Sequence, residues 1–260
     1  MSGPKDAALL VDRGEGVLTL TLNRPRVKNA IDVSLAVALA AALRDAREDA
    51  SVRVVVLTGA AGDFCSGADL GSEPGEGHAS ARMRTFNDAG LALHALPQPT
   101  LARIDGVAAG AGLNLALACD LVLASDRSRF SEIFAKRGLS LDLGGSWLLP
   151  RRVGLHRAKE LALFGDIIDA VEAERIGLVN RVVPADELDA LVDDWTSRLA
   201  AGPPVALAQT KAMLDNAFSL TYPQALADEA RAQVVNFGTR DTAEAIGAFL
   251  QKREPRFEGR

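Results

Sequence analysis

Apolar residues alternate with polar ones at the start of the chain and then settle into longer periods. Ala8 to Val11 and Val17 to Leu22 alternate with period two around Gly14 and Gly16, which predicts a β-hairpin. Asn23-Arg24-Pro25 ends it. Asp32 is a good N-cap for an Ala-rich helix from about Ser34 to Glu48. Val52 to Thr58 is a continuous apolar run, the mark of a strand buried on both faces. Gly59 to Asp63 reads as a turn and Gly71 to Ser80 as a mobile polar loop, followed by a helix to about Leu96. A strand at Thr100 to Ile104, a small-residue turn at Gly106 to Gly112, a helix ending near Cys119 and a strand at Leu121 to Ala124 complete the pattern of an α/β core.

The last third is helical. Leu188, Leu191, Val192, Trp195 and Leu199 share one helical face. Gly202-Pro203-Pro204 breaks the chain, and two further helices are expected, Val205 to Ala217 and Tyr222 to about Arg253. The predicted organisation is an α/β core over residues 1–200 and a helical region over 201–260.

Charge and cysteine content narrow the function classes. With 29 basic and 34 acidic residues the net charge is -5, so nothing in the balance points to nucleic acid. The two cysteines lack CxxC spacing, which argues against a disulfide framework and a structural zinc site. His78, His94 and His156 show no metal-ligand spacing, so no metal is expected. The N-terminus has no apolar stretch followed by a cleavage site, and Gly106 to Cys119 is shorter than the ~20 residues of a membrane span. A cytoplasmic protein with no membrane partner is the expectation.

Two segments could carry chemistry. Phe64-Cys65-Ser66-Gly67-Ala68-Asp69-Leu70 and Asp105 to Asn114 are each tight turns of small residues after a buried strand. Such turns leave N–H groups open to a ligand, and two converging on one point make an oxyanion hole. Taken singly, each turn is better explained by close strand–helix packing, since glycine turns are common. No G-x-G-x-x-G, P-loop or G-x-S-x-G is present, which removes the usual dinucleotide and serine-hydrolase readings.

NRPRVKNAID (23–32), FCSGADL (64–70), IDGVAAGAGLNLALACD (104–120), GLVNRVVP (177–184) and FLQKREPRF (249–257) together resemble, in order, the signatures of the crotonase, or enoyl-CoA hydratase/isomerase, superfamily. The resemblance implies a spiral of ββα units, a helical C-terminal trimerisation region and a homotrimer or a homohexamer made of two trimers. It implies an acyl-CoA thioester as substrate, with coenzyme A entering as part of that substrate and no separate cofactor.

The family's oxyanion donors fall on the N–H groups of Ala68 and Ala111. Its adenine-binding main chain falls near Ser66, Gly67, Ala68, Asp69 and Leu70 and near Arg26 and Lys28, whose charges could meet the CoA phosphates or simply be solvated. Gly110, Phe249 and Lys252 complete the expected CoA contacts.

The departures matter most. The two glutamates of the family's hydratases fall on Asn114 and Phe134, neither of which can transfer a proton. Asp142, between Leu141 and Leu143, sits where isomerases of the family can carry a catalytic aspartate, and its apolar neighbours should raise its pKa. The alternative is a helix N-cap before Gly144. Glu132 is the rival base, although a surface or subunit-contact salt bridge is the better-supported reading; Asn114 could orient substrate or water, or be a satisfied buried amide. The sequence therefore predicts isomerisation of an unsaturated acyl-CoA, with hydration of an enoyl-CoA and non-catalytic acyl-CoA binding as the alternatives. The segment FSEIFAKRGLSLDLGGSWLLP (130–150) further resembles the branch that includes phenylacetate-pathway ring isomerases.

Overall fold

The structure is a computed structural model that describes residues 7–71 and 78–260. The predicted loop at Gly71 to Ser80 lies largely outside these residues. Strands β1 (Leu9–Gly14) and β2 (Val17–Leu22) form the expected antiparallel hairpin, with β1 running three residues past the predicted end. Helix α1 (Val33–Glu48) starts where Asp32 accepts a hydrogen bond from the Leu35 N–H at 2.8 Å. It buries Leu35, Leu39 and Leu43, spaced four apart on one face. Strand β3 (Val54–Gly59) is followed by α2 (Ala79–His94), β4 (Thr100–Ile104), β5 (Val107–Ala109), α3 (Ala111–Leu117), β6 (Leu121–Ser125) and β7 (Arg129–Ser131). Next come α4 (Gly145–Phe164), β8 (Ile168–Asp169), α5 (Ala170–Arg175), β9 (Arg181–Val183) and α6 (Leu188–Ala200).

A six-stranded sheet runs β1-β2-β3-β4-β6-β9, parallel throughout except for the β1–β2 hairpin. A second sheet runs β5-β7-β8. The short strands of the second sheet alternate in sequence with those of the first, so the chain winds as a spiral. Its turns β4–β5–α3 and β6–β7 are the ones that reach the site. The main core lies between the large sheet and helices α1, α2 and α3, with a smaller cluster of Val56, Leu101, Leu123, Leu188 and Val192 under α6. Leu188 and Val192 are the most buried members of the helical face read from the sequence.

The C-terminal region corrects one expectation. The single helix predicted from Tyr222 to about Arg253 is two helices, α8 (Tyr222–Phe237) and α9 (Arg240–Gln251), following α7 (Pro204–Asn216). The physical reason lies at Gly238-Thr239: Thr239 leaves the helical conformation (φ -87°, ψ 153°), and its hydroxyl accepts from the Thr242 N–H to cap α9. No helix among the described residues is long and apolar enough to cross a membrane.

Helix α3 packs against the first small-residue loop with no room to spare. A Cβ on Gly112 would lie 2.4 Å from the Cys65 carbonyl oxygen and 2.7 Å from its Sγ. Gly112→Ala is expected to destabilise the protein by roughly 1–3 kcal/mol through overpacking, read as a lowered midpoint in chemical denaturation.

Candidate active site

The N-terminal signature works as a clasp. Asn29 is buried with φ 56°, and its Nδ2 donates to the carbonyl oxygens of Ala60 and Asp63 at 2.9 and 2.7 Å. The Arg24 guanidinium donates to the Ala30 carbonyl and pairs with Asp32 and Asp69 at 3.0 and 2.8 Å. Asp69 also accepts from the Gly71 N–H, so it caps its own turn. These contacts pin the segment 23–32 along the first small-residue loop.

That clasp decides where the Ala68 amide points. The Ile31 N–H donates to the Gly67 carbonyl at 2.8 Å, and the Asp69 N–H donates to the Ile31 carbonyl at 2.9 Å. In extended backbone successive amides face opposite ways, so the N–H of Ala68 faces away from Ile31. The second loop lies close by: the Cys65 N–H donates to Val107, the Ala109 N–H donates to Cys65, and Cys65 bridges Ala108. A Cβ on Gly67 would sit 3.0 Å from the Ala109 carbonyl oxygen and 3.7 Å from the Ala111 nitrogen, and Gly67 has φ 108°. Only glycine satisfies both constraints.

Gly110 turns the chain at φ 52°, ψ -126°, and its N–H is taken by the Ser131 carbonyl at 2.8 Å. Ala111 is then the first residue of α3, where the helix supplies no acceptor for its N–H. Among the described residues neither Ala68 N–H nor Ala111 N–H has a backbone acceptor.

Asn114, one turn into α3, is fully buried, with Gly145 packed flat on its amide. Its Nδ2 donates to the Asp142 carbonyl oxygen at 3.0 Å, while its Oδ1 has no partner. The bland reading of a fully satisfied amide therefore fails. Asp142 is half-buried, and the N-cap alternative fails too: α4 starts after Gly144, with no side-chain cap. Its Oδ1 is buried without a partner. Burial pushes the Asp142 carboxyl up to about 6, against a smaller opposing effect of the Asn114 side chain.

Glu132 lies at the end of β7, entirely buried, with neither carboxyl oxygen partnered. The expectation of a surface ion pair for Glu132 is thus overturned, because the side chain turns inward from the strand end. Burial, and then the negative charge of Asp142, push it up to about 8. Phe134 is buried in the neighbouring 3-10 turn.

An open cavity of about 310 Å³ is lined by Leu143 and Gly144, the two residues that follow Asp142. Asn87, Leu91 and His94 of α2 line one side, and Leu143, Trp147 and Leu148 the other. His94 and Trp147 meet edge to face with ring centres 5.4 Å apart, and the Arg151 guanidinium covers the Trp147 ring at 3.8 Å. Sequence reasoning missed this wall. In the sequence His94 shows no metal-ligand spacing and carries no other signal; the one legible mark of the wall is Gly90, where a Cβ would lie 3.2 Å from Leu143 Cδ2.

The structure thus gathers Ala68, Ala111, Asn114, Glu132 and Asp142 around one region. The expected CoA contacts are more scattered. Arg26 is exposed, Lys28 pairs with Asp63 at 3.6 Å, and the Ser66 hydroxyl donates to the Val27 carbonyl at 3.0 Å. Leu70 is 68% exposed. Phe249 and Lys252 stand exposed at the end of α9, outside both core clusters. Among the described residues no group of acidic, histidine or cysteine side chains could hold a metal ion.

The family model described as Enoyl-CoA hydratase/isomerase matches residues 12–260. The chain belongs to the enoyl-CoA hydratase/isomerase family. A Rhodobacter capsulatus member named "Probable enoyl-CoA hydratase" is 42% identical over 251 residues, covering 95% of this chain and 96% of its own. The 1,2-epoxyphenylacetyl-CoA isomerase of Escherichia coli is 36% identical over 252 residues, with 95% and 96% covered. The solved enoyl-CoA hydratase from Bacillus anthracis superposes with a TM-score of 0.93 at 32% identity, covering 98% of this chain and all of that one. Members of the enoyl-CoA hydratase/isomerase family process acyl-CoA thioesters, and the expected crotonase-like α/β spiral with C-terminal helices is the fold observed.

Proposed function

We propose that this chain isomerises an unsaturated acyl-CoA, moving a proton between two carbons of a system conjugated to the thioester. The observation that carries the reading is Asp142: a carboxylate with a buried, unpartnered Oδ1, directly preceding the cavity-lining Leu143 and Gly144, while the resemblance puts Asn114 and Phe134 at the positions of the hydratases' glutamates. The Asp142 carboxylate takes the proton from carbon, and the C–H electron pair moves into the thioester as an enolate. The enolate oxygen accepts hydrogen bonds from the Ala68 and Ala111 N–H groups, and protonated Asp142 returns the proton at another carbon. The acyl group occupies the mainly apolar cavity walled by Leu91, His94 and Trp147.

Coenzyme A enters with the substrate, its adenine end along Ser66 to Leu70 and its phosphates toward Arg26 and Lys28. Exposed Phe218, Phe237 and Phe249 in the C-terminal region support self-association into the trimer or hexamer expected from the resemblance.

Hydration is the second reading. It is favoured by the presence of Glu132 and Asp142 as two buried carboxyls and by the hydratase names of several relatives. Turnover of a mixed enoyl-CoA panel in heavy-oxygen water separates the two. Isomerisation gives rearranged product at constant mass; label uptake into the acyl group would establish hydration instead. Binding of the panel without any conversion would leave acyl-CoA binding as the function.

A further inference from the structure

Glu132 is a costly residue. A carboxyl at zero exposure, with both oxygens unpartnered, gains nothing from hydrogen bonding and loses its hydration. Among the described residues no cation compensates it: Lys136, in the adjoining 3-10 turn, reaches outward to Asp166 at 2.6 Å. Asn114 on α3 is uncharged. Cys65, which faces Asp142 from the first loop, is held neutral because burial pushes its thiol up to about 12. The charged group that Glu132 feels is Asp142, in the loop before α4. The Ser131 carbonyl, one residue before Glu132, holds the Gly110 N–H, so Glu132 sits directly behind the turn that aims the Ala111 amide.

We propose that Glu132 is a positioning residue that acts through Asp142, as the proton-bearing member of a buried two-carboxyl pair that holds the site to one negative charge while the enolate forms. This rests on the reading of Asp142 as the base. When Asp142 takes a proton from substrate, one negative charge passes from its carboxylate to the thioester oxygen, and the total is unchanged. A second buried charge on Glu132 would oppose the ionised state of Asp142 and the nascent enolate alike. Because Glu132 has no access to the cavity surface, it contributes through charge state and not through contact with substrate.

Burial raises both carboxyls, Asp142 to about 6 and Glu132 further, to about 8, so Asp142 is the more readily ionised member. With one proton on the pair the site carries one negative charge, the working state; with none it carries two.

The test is the pH profile of kcat for the wild type and for Glu132→Gln, which keeps shape and removes the ionisation. The wild type should rise through pH about 6 and fall through about 8. The variant should keep the rising limb and lose the falling one. A falling limb at the same pH in the variant, or a uniform drop with both limbs in place, overturns the proposal. A carbon-13 NMR titration of wild-type protein with labelled glutamate carboxyls stands independently of how the variant folds. One glutamate should titrate near pH 8, and the proposal falls if all titrate below pH 6. Asp142→Asn separates this from the base assignment: if it retains full turnover, the base reading fails, whereas the glutamate should still titrate in that variant but at lower pH, because the Asp142 charge is gone and burial remains; an unchanged titration point overturns the pairing.

Discussion

Asp142→Asn will lower kcat by roughly 10²–10⁴-fold, the usual worth of a positioned general base, and will at the same time make the folded protein more stable above neutral pH. The first effect follows from the proposed chemistry. Asparagine keeps the shape and the backbone carbonyl that holds the Asn114 amide, but it cannot accept the substrate proton. The second effect follows from linkage. Burial raises the Asp142 pKa from an ordinary 3.8 to about 6 in the folded chain, so the folded state keeps its proton where the unfolded chain has lost it. Stability contributed by this group is present in full at low pH and is lost as pH rises from about 4 through about 6. Above that window the wild type carries a penalty on the order of 1 kcal/mol or more, which asparagine removes. Steady-state kinetics and urea denaturation at pH 5 and pH 8 check both halves. An active variant would refute the base assignment. A loss of stability at pH 8 would show that the carboxylate is compensated after all.

Ala111→Pro will lower kcat by about 10²–10³-fold with the fold retained, the cost of removing one oxyanion donor. Proline is normally a destructive probe of backbone N–H groups, because it breaks the helix in which it is placed. Ala111 is an exception. It is the first residue of α3, the position where proline's fixed φ suits a helix and where no intrahelical bond is lost. The substitution therefore deletes the proposed donor and fills the space beside Gly67 with the ring. Ala111→Gly is the matching control, since it keeps the N–H and should retain activity within several-fold. Circular dichroism and thermal unfolding verify the fold, and kcat with a shared substrate reads the effect. Equal activity in the proline and glycine variants would mean that the Ala111 amide holds no charge in the transition state.

These expectations depend on different levels of information. The hairpin, the Asp32-capped helix, the buried parallel strands and the small-residue loops are written in local periodicity and turn chemistry. Such signals act over a few residues, and β1, β2, α1, β3 and β4 appear within a few residues of where the pattern puts them. The family signatures likewise identified the loops that carry Ala68 and Ala111, because a close approach of two backbones admits only small side chains. Gly67 and Gly112, wedged against Ala109 and Cys65, are the physical content of that pattern. The break between α8 and α9 was less legible, since Gly238-Thr239 interrupts an otherwise continuous helical composition by a cap that only becomes decisive once the turn forms.

What the sequence determined by itself is which residues are available: two amides in small-residue loops, an aspartate among leucines, and, by the family resemblance, an asparagine and a phenylalanine at the positions of the hydratases' glutamates. Which way each group faces was decided by tertiary structure alone. Inward burial of Glu132 depends on how the end of β7 meets α3 and the loop before α4, and that is a long-range packing outcome. The open state of the Ala68 amide depends on Ile31, 37 positions earlier, taking the hydrogen bonds on either side of it. Burial and charge proximity set pKa, and neither exists until distant segments meet.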